Sequence, residues 1–320
     1  MILRILMLFA LHAMFPVIVA AQDYPYKPIR LIVPYAAGGS SDILARLYGQ
    51  RVGETLGQTI VVDNRPGAGG MIGTDILSKC VADGYSLILQ DMPHTINPAV
   101  YGKVPYDPVK DFAPITLVAR APQWLFVYPG VAAKTVAELI VIAKAQPGNL
   151  KVGSAGNGSG THLMAELFKR GAGINLNHVP YKGAGPAVTA TVAGEMNMVF
   201  TSMPAAVSFV QSGRLRPIGV TTAKRHPSHP EVPTFEESGV ANMVLTHWFG
   251  VLAPAGLPKA VQDKLYREFT AAVNQPMMVE RYKTLVIEAA TLTPAEFRAL
   301  IVSDLARWTK VVQEANIKAQ

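Results

Sequence analysis

The sequence predicts an α/β chain of two lobes, each a mainly parallel sheet flanked by helices. Three observations carry that reading. Short, near-continuous apolar runs alternate with helix-like segments, the pattern of strands covered on both faces. A strand, a Gly-rich turn and a helix occur at Ile29–Leu47 and return at Leu150–Phe168, placing Gly38 and Gly158 120 positions apart. The 320 residues, 50% hydrophobic and 16% charged, suffice for two domains with ample core and are too apolar for extended disorder.

The chain opens with an export signal, expected over Met1–Ala21 (MILRILMLFALHAMFPVIVAA). Arg4 is the positive end, Ile5–Phe15 the apolar stretch, and Pro16 breaks the helix. Val19 and Ala21 stand at −3 and −1 of a cut before Gln22. The apolar run is short for a membrane span of about 20 residues, and no cysteine adjoins the cut to carry a lipid. The mature chain is therefore expected free in the periplasm.

Beyond it, Ile29–Tyr35 reads as a strand, Ala36–Ser41 (AAGGSS) as a turn, and a helix starts near Asp42. Thr59–Asp63 and Ser86–Gln90 are further strands, and Ile115–Tyr128 is an extended stretch broken at Pro122. A second unit follows: strand Leu150–Ser154, turn Ala155–Gly160, helix from Thr161 to about Arg170. Strands Met196–Thr201 and Leu215–Thr221 flank a helical Pro204–Ser212. Three prolines make His226–Pro233 a loop, and Val244–Ala253 is again extended. The tail holds two amphipathic helices, one through Val261, Leu265, Phe269 and Val273 and one through Phe297–Val312. Pro258 and Pro294 sit at their first turns, where a missing N–H costs nothing. The stretches near 115–128 and 244–253 would join the two lobes, giving two crossings.

A helix N-terminus leaves N–H groups unpaired and carries partial positive charge. Glycine admits close approach of a ligand and Ser or Thr adds a donor, so AAGGSSD (Ala36–Asp42) and GSAGNGSGTH (Gly153–His162) are candidate anion sites. If the two turns face each other, the natural ligand is a small organic acid held between them. No lysine follows Gly160 as a P-loop requires, and the first turn lacks GxGxxG, which disfavours nucleotides.

Catalytic patterns are weak. Ser159 has Asn157, not glycine, two residues before it, so the GxSxG elbow is absent. His162 and Glu166 lie one helical turn apart but lack a third ligand, and HEXXH is missing. His226, His229 and Glu231 sit in the proline-rich loop. The lone Cys80 excludes an intrachain disulfide and a cysteine-rich zinc site. Asp42 reads as a first-turn helix acid; Trp248 and Phe249 are either core or cleft aromatics. No reaction, metal or cofactor is expected. The balance of 29 basic to 22 acidic residues gives +7, but no Lys/Arg cluster exceeds a dipeptide, so a nucleic-acid partner is not expected.

Seven segments in order carry a family resemblance: VPYAAGGSSDILAR (Val33–Arg46), NRPGAGGMIG (Asn64–Gly73), DGYSLIL (Asp83–Leu89), GSAGNGSGTHLMAELF (Gly153–Phe168), VPYKGAGPA (Val179–Ala187), VPTFEESG (Val232–Gly239) and WFGVLAPAGLP (Trp248–Pro258). Together they resemble the Bug family, the extracytoplasmic receptors of tripartite tricarboxylate transporters. The resemblance implies a two-lobed type II periplasmic binding protein, likewise α/β, that closes on a small carboxylate: a tricarboxylate, dicarboxylate, acidic amino acid or aromatic acid. It implies lobe boundaries near 125 and 247, with 22–125 plus 248–320 as one lobe and 126–247 as the other. It implies a monomer that delivers its ligand to one large and one small integral-membrane subunit. The matched ligand positions are Tyr35, Ala37, Gly38, Gly39, Ser40, Ser41 and Asp42 in the first turn. In the second they are Ser154, Asn157, Gly158, Ser159, Gly160, Thr161 and His162, with Thr201, Ser202 and Trp248 shaping the remainder. In one departure, Ala36 and Ala37 stand where the family commonly has two prolines, which removes ring surface from the pocket wall and frees the loop backbone. The competing readings are a carboxylate-sensing adaptor for a membrane signalling protein and, further off, an exported hydrolase.

Overall fold

Strand–helix units build both lobes in turn. The computed structural model describes residues 23–318, and the expected export segment lies outside the described residues. The first lobe takes β1 (Ile29–Val33), α1 (Ser40–Leu56), β2 (Ile60–Asn64), α2 (Met71–Ser78), β3 (Ser86–Asp91), α3 (Pro93–Tyr101) and β4 (Phe112–Pro122). The chain then crosses at Gln123. The second lobe takes β5 (Trp124–Val127), α4 (Val136–Ala145), β6 (Lys151–Ser154), α5 (Gly160–Ala172) and β7 (Asn177–Pro180). It continues with α6 (Ala184–Val192), β8 (Met198–Thr201), α7 (Val207–Gln211) and β9 (Arg216–Val220). The chain returns through β10 (Thr246–Pro254) and ends with α8 (Lys259–Val273), α9 (Pro276–Leu285), β11 (Glu288–Ala289) and α10 (Pro294–Glu314).

The six-stranded sheet runs β11-β4-β10-β3-β1-β2 and the five-stranded sheet β7-β6-β8-β5-β9. Strand β1 pairs in parallel with β2 and β3, and β6 with β7 and β8. The remaining pairs are antiparallel, so each sheet is mixed. Every antiparallel pair involves β4, β5 or β10, the strands at the crossings. Strands β5 and β10 arrive from the other lobe, and each runs against a strand of the parallel set it joins, β8 and β3 respectively. The two crossings lie side by side: Pro122 pairs with Thr246, and the Gln123 N–H donates to Thr221 Oγ1 at 2.9 Å. The Thr221 hydroxyl in turn donates to the Leu245 carbonyl at 2.6 Å.

Ile29, Leu31, Ile32 and Val33 are all fully buried, which is why β1 reads as a near-continuous apolar run, interrupted by Arg30, which pairs with Asp63. Helix α1 buries Leu44, Ala45, Tyr48 and Val52 on one face, each large side chain contributing roughly 1.5–3 kcal/mol. It stops at Gly57, whose left-handed backbone (φ 66°) costs a glycine little. Helix α10 opens with a capping box between Thr293 and Glu296 with Pro294 in its first turn; Pro258 stands one residue before α8 as its N-cap. The proline-rich loop at 226–233 contains neither helix nor strand.

Candidate functional site

Both Gly-rich turns lie at the C-terminal ends of parallel strands, β1 and β6, and each feeds a helix. They differ in what their side chains do. Gly39 caps α1 with extended backbone (φ −81°, ψ 167°), and no side chain caps that helix. Asp42 in the first turn faces away: its carboxylate accepts from Arg46 at 2.9 and 3.1 Å, from the Gly38 N–H at 3.0 Å and from Asn64 at 3.0 Å. Burial works to raise the Asp42 carboxyl, but these bonds outweigh it and hold its pKa below the ordinary value. The N-terminus of α1 therefore stays open to a ligand.

The second turn is fixed by its own hydroxyls. Ser159 caps α5 by accepting from the His162 N–H at 3.2 Å, and Thr161 Oγ1 accepts from the Ala155 N–H at 2.8 Å. Ser154 bonds His178 Nε2 at 2.6 Å, and the His162 ring stacks on His178 with centroids 4.4 Å apart. Burial pushes both imidazoles down to about 4, with Lys169 adding to the effect on His162 and the neighbouring His162 adding to it on His178. The α5 start thus offers the backbone N–H groups of Gly160 and Thr161 rather than free hydroxyls.

Between the two helix starts lies a cavity of about 40 Å³, room for roughly three waters. Of the sequence-predicted residues, Tyr35, Gly39, Ser40 and Ser41 line it from the first lobe, and Ser159, Gly160, Thr161, Thr201 and Ser202 from the second. The others fall outside. Ala37 and Gly38 face an outer groove against α6. Asp42, Ser154 and His162 are buried behind the turns, and Asn157 and Gly158 take part in contacts with the first lobe, where Tyr101 donates to the Asn157 carbonyl at 2.7 Å.

Trp248 is a correction. Alternation along β10 sends it to the far side of the sheet, where its indole N–H donates to Asp304 at 2.8 Å and its ring packs edge-on against Phe297 of α10. Its neighbours His247 and Phe249 face the cavity instead.

The lobes meet closely. The Ala36 N–H donates to the Lys182 carbonyl at 2.9 Å, and the Ser202 hydroxyl donates to Ser40 Oγ at 2.8 Å. A proline at 36 would have no N–H for the first of these bonds.

Three polar residues in the wall escaped sequence reasoning: Asp91, Gln123 and His247. Asp91 accepts from Tyr35 at 2.9 Å and from Ser41 at 3.1 Å, and His247 Nε2 lies 3.3 Å from it. Burial first, then the Asp91 charge, raise the Tyr35 hydroxyl well above its ordinary pKa. Ser41 spends its proton on Asp91 rather than on an imidazole, so the cluster is built to hold and orient. Signals existed: an acid at the C-terminal end of a parallel strand for Asp91, and strand alternation for His247. Among the described residues no three His, Cys, Asp or Glu gather to hold a metal, and no helix is long and apolar enough to cross a membrane. Glu166, one turn from His162, pairs with Lys169 at 2.8 Å.

A family model described as the tripartite tricarboxylate transporter family receptor matches residues 44–317. The chain is 35% identical over 302 residues to Protein BugT of Bordetella pertussis, covering 94% of this chain and 93% of that protein. Among solved structures it resembles the periplasmic binding protein BugD at 32% identity and a TM-score of 0.89, covering 93% of this chain and all of that one. It also resembles R. palustris Rpa4515 with adipate, at 35% identity and a TM-score of 0.89, covering 92% and 99% of the two chains.

Proposed function

Since the chain belongs to the tripartite tricarboxylate transporter receptor family, we propose that it is a periplasmic receptor which closes its lobes on a small organic carboxylate and delivers it to a two-subunit membrane transporter. The observation that carries this is the pair of helix N-termini, α1 and α5, facing one cavity between the lobes, the first without a side-chain cap. Backbone N–H groups of Ser40, Ser41, Gly160 and Thr161 hold the carboxylate, while Gly39, Tyr35, Thr201 and Ser202 shape the space beside it. The adipate bound by Rpa4515 supports a carboxylate as the ligand. The moving bodies are the first lobe, up to β4 and from β10 onward, and the second lobe, β5 through β9, so the boundaries fall at the crossings by Gln123 and Leu245 rather than at 125 and 247. Closure excludes water, so each charge-assisted hydrogen bond strengthens as the local dielectric falls. A micromolar dissociation constant corresponds to about −8 kcal/mol, within reach of a compact ligand.

The test is native mass spectrometry of residues 22–320 purified from a periplasm, followed by a thermal-shift panel of carboxylic acids. A retained acid, or an upward shift that vanishes when the acid is esterified, is the expected result. No retained mass and no shift across the panel would remove the receptor reading.

A further inference from the structure

Gly69 in NRPGAGGMIG, and Asn157 and Gly158 in GSAGNGSGTH, stand outside the cavity lining, yet they meet one another across the lobes. On the first lobe, Gly67, Ala68, Gly69 and Gly70 all have positive φ (137°, 47°, 59° and 97°), which curls the loop tightly ahead of α2. Asn97 of α3 holds that loop, donating from Nδ2 to the Gly69 carbonyl at 3.1 Å. A Cβ at Gly70 would lie 3.0 Å from the Tyr35 hydroxyl, so the loop rests on a wall of the cavity. The tip of the second-lobe turn seats against this frame. A Cβ at Gly69 would collide with the Asn157 carbonyl oxygen, and one at Gly158 would stand 2.5 Å from the Tyr101 ring and 2.6 Å from Asn97 Oδ1. Tyr101, the last residue of α3, is half-buried there and donates its hydroxyl to the Asn157 carbonyl at 2.7 Å. The Gly158 N–H donates to His162 Nδ1 at 3.2 Å, which ties the gripped tip to α5.

We propose that Tyr101 is a positioning residue for ligand retention: its hydroxyl clasps the Asn157 carbonyl when the lobes shut and so holds the start of α5, where the carboxylate lies, against the first lobe. The ligand itself never touches Tyr101. The inference rests on the reading of the cavity as the ligand site. One neutral hydrogen bond of this kind is worth about two- to tenfold in an equilibrium constant. The clasp forms only after the ligand has entered, so its loss falls on the dissociation rate.

Tyr101→Phe tests it, because the variant keeps the ring beneath Gly158 and removes only the bond. The probes are acetate, succinate, malate, glutamate and adipate, titrated by calorimetry into the mature protein, and the tightest binder is carried into stopped-flow association and displacement. Tyr101→Phe should raise its dissociation rate about two- to tenfold, leave the association rate unchanged, and leave the melting temperature of the ligand-free protein where it was. An unchanged dissociation rate would overturn the clasp while leaving the carboxylate receptor intact. A slower association, or a ligand-free melting temperature lowered by several degrees, would overturn it as well, by making the bond a fixed part of the fold. Binding of none of the five acids by the unmodified protein would overturn both.

Discussion

Replacing Gly185 by alanine should weaken ligand binding without weakening the fold. Gly185 sits in the first turn of α6 with ordinary helical backbone, where alanine is intrinsically better by up to about 1 kcal/mol. Its position matters because the first-lobe turn lies directly on it. A Cβ there would collide with the Ala37 carbonyl oxygen and stand 2.8 Å from the Gly38 carbonyl carbon and 2.9 Å from the Gly39 nitrogen. These are backbone atoms, so no side chain can rotate out of the way. Overpacking of this kind costs about 1–3 kcal/mol, paid only when the lobes are shut, which corresponds to about five- to 150-fold weaker binding. Calorimetry with an acid identified by native mass spectrometry measures the affinity, and thermal unfolding without ligand measures the fold. Unchanged affinity would refute the closed lobe contact as the ligand-bound geometry. A melting temperature several degrees lower without ligand would refute the assignment of the cost to closure.

Trp248→Phe should lower stability by about 1.5–3 kcal/mol through the buried Asp304 left without its indole donor, while ligand affinity stays level; a loss of affinity at unchanged stability would return Trp248 to the cleft. Ser159→Ala with Thr161→Val removes the α5 cap and the partner of the Ala155 N–H, so unfolding should come earlier by about 1–2 kcal/mol and binding should weaken as the turn loosens. Equal affinity in that double variant would take the second turn out of the site. Acid should destabilise the protein through its buried histidines. His94, pushed by burial to about 4 in the fold against 6.5 unfolded, is neutral in the fold when the unfolded chain begins to bind protons. Stability is therefore whole above pH 6.5 and falls as the pH drops from about 6.5 to about 4. His162 and His178 act in the same direction. Urea unfolding across that window should show the slope, and His94→Gln should flatten it; an unaltered slope would shift the effect to other groups.

The strands at Ile29–Val33 and Ser86–Asp91 and the two matched turns were legible because burial on both faces writes itself as continuous apolar sequence. Helices α2, α3, α4, α6 and α9 were not. Helix α3 starts at Pro93 and carries Pro98 inside, and α6 (AGPAVTATV) joins glycine and proline to β-branched residues, so local propensity argues against helix and tertiary packing overrides it. In the site, the Gly-rich turns announce themselves by composition, whereas single polar residues such as Asp91 and Gln123 gain meaning only from what folds opposite them. Trp248 illustrates the limit in reverse. Aromatic character suggested a cleft wall, but one step of strand register decides the face, and sequence fixes register poorly where both faces of a strand are buried.

Gln123 and His247 belong to the two side-by-side crossings as well as to the cavity wall. If the lobes close on a ligand as proposed, the part of it that touches them is pressed against the axle of that motion. A group too bulky there acts as a wedge at the short arm of a lever: a small displacement at the crossings is multiplied at the outer rim, where Ala36 meets Lys182 and Gly185 meets the first turn. Chemical identity at one end of a small molecule is thus converted into a gap at the other side of the protein. A membrane partner that grips only the fully shut rim would read the cargo without ever touching it.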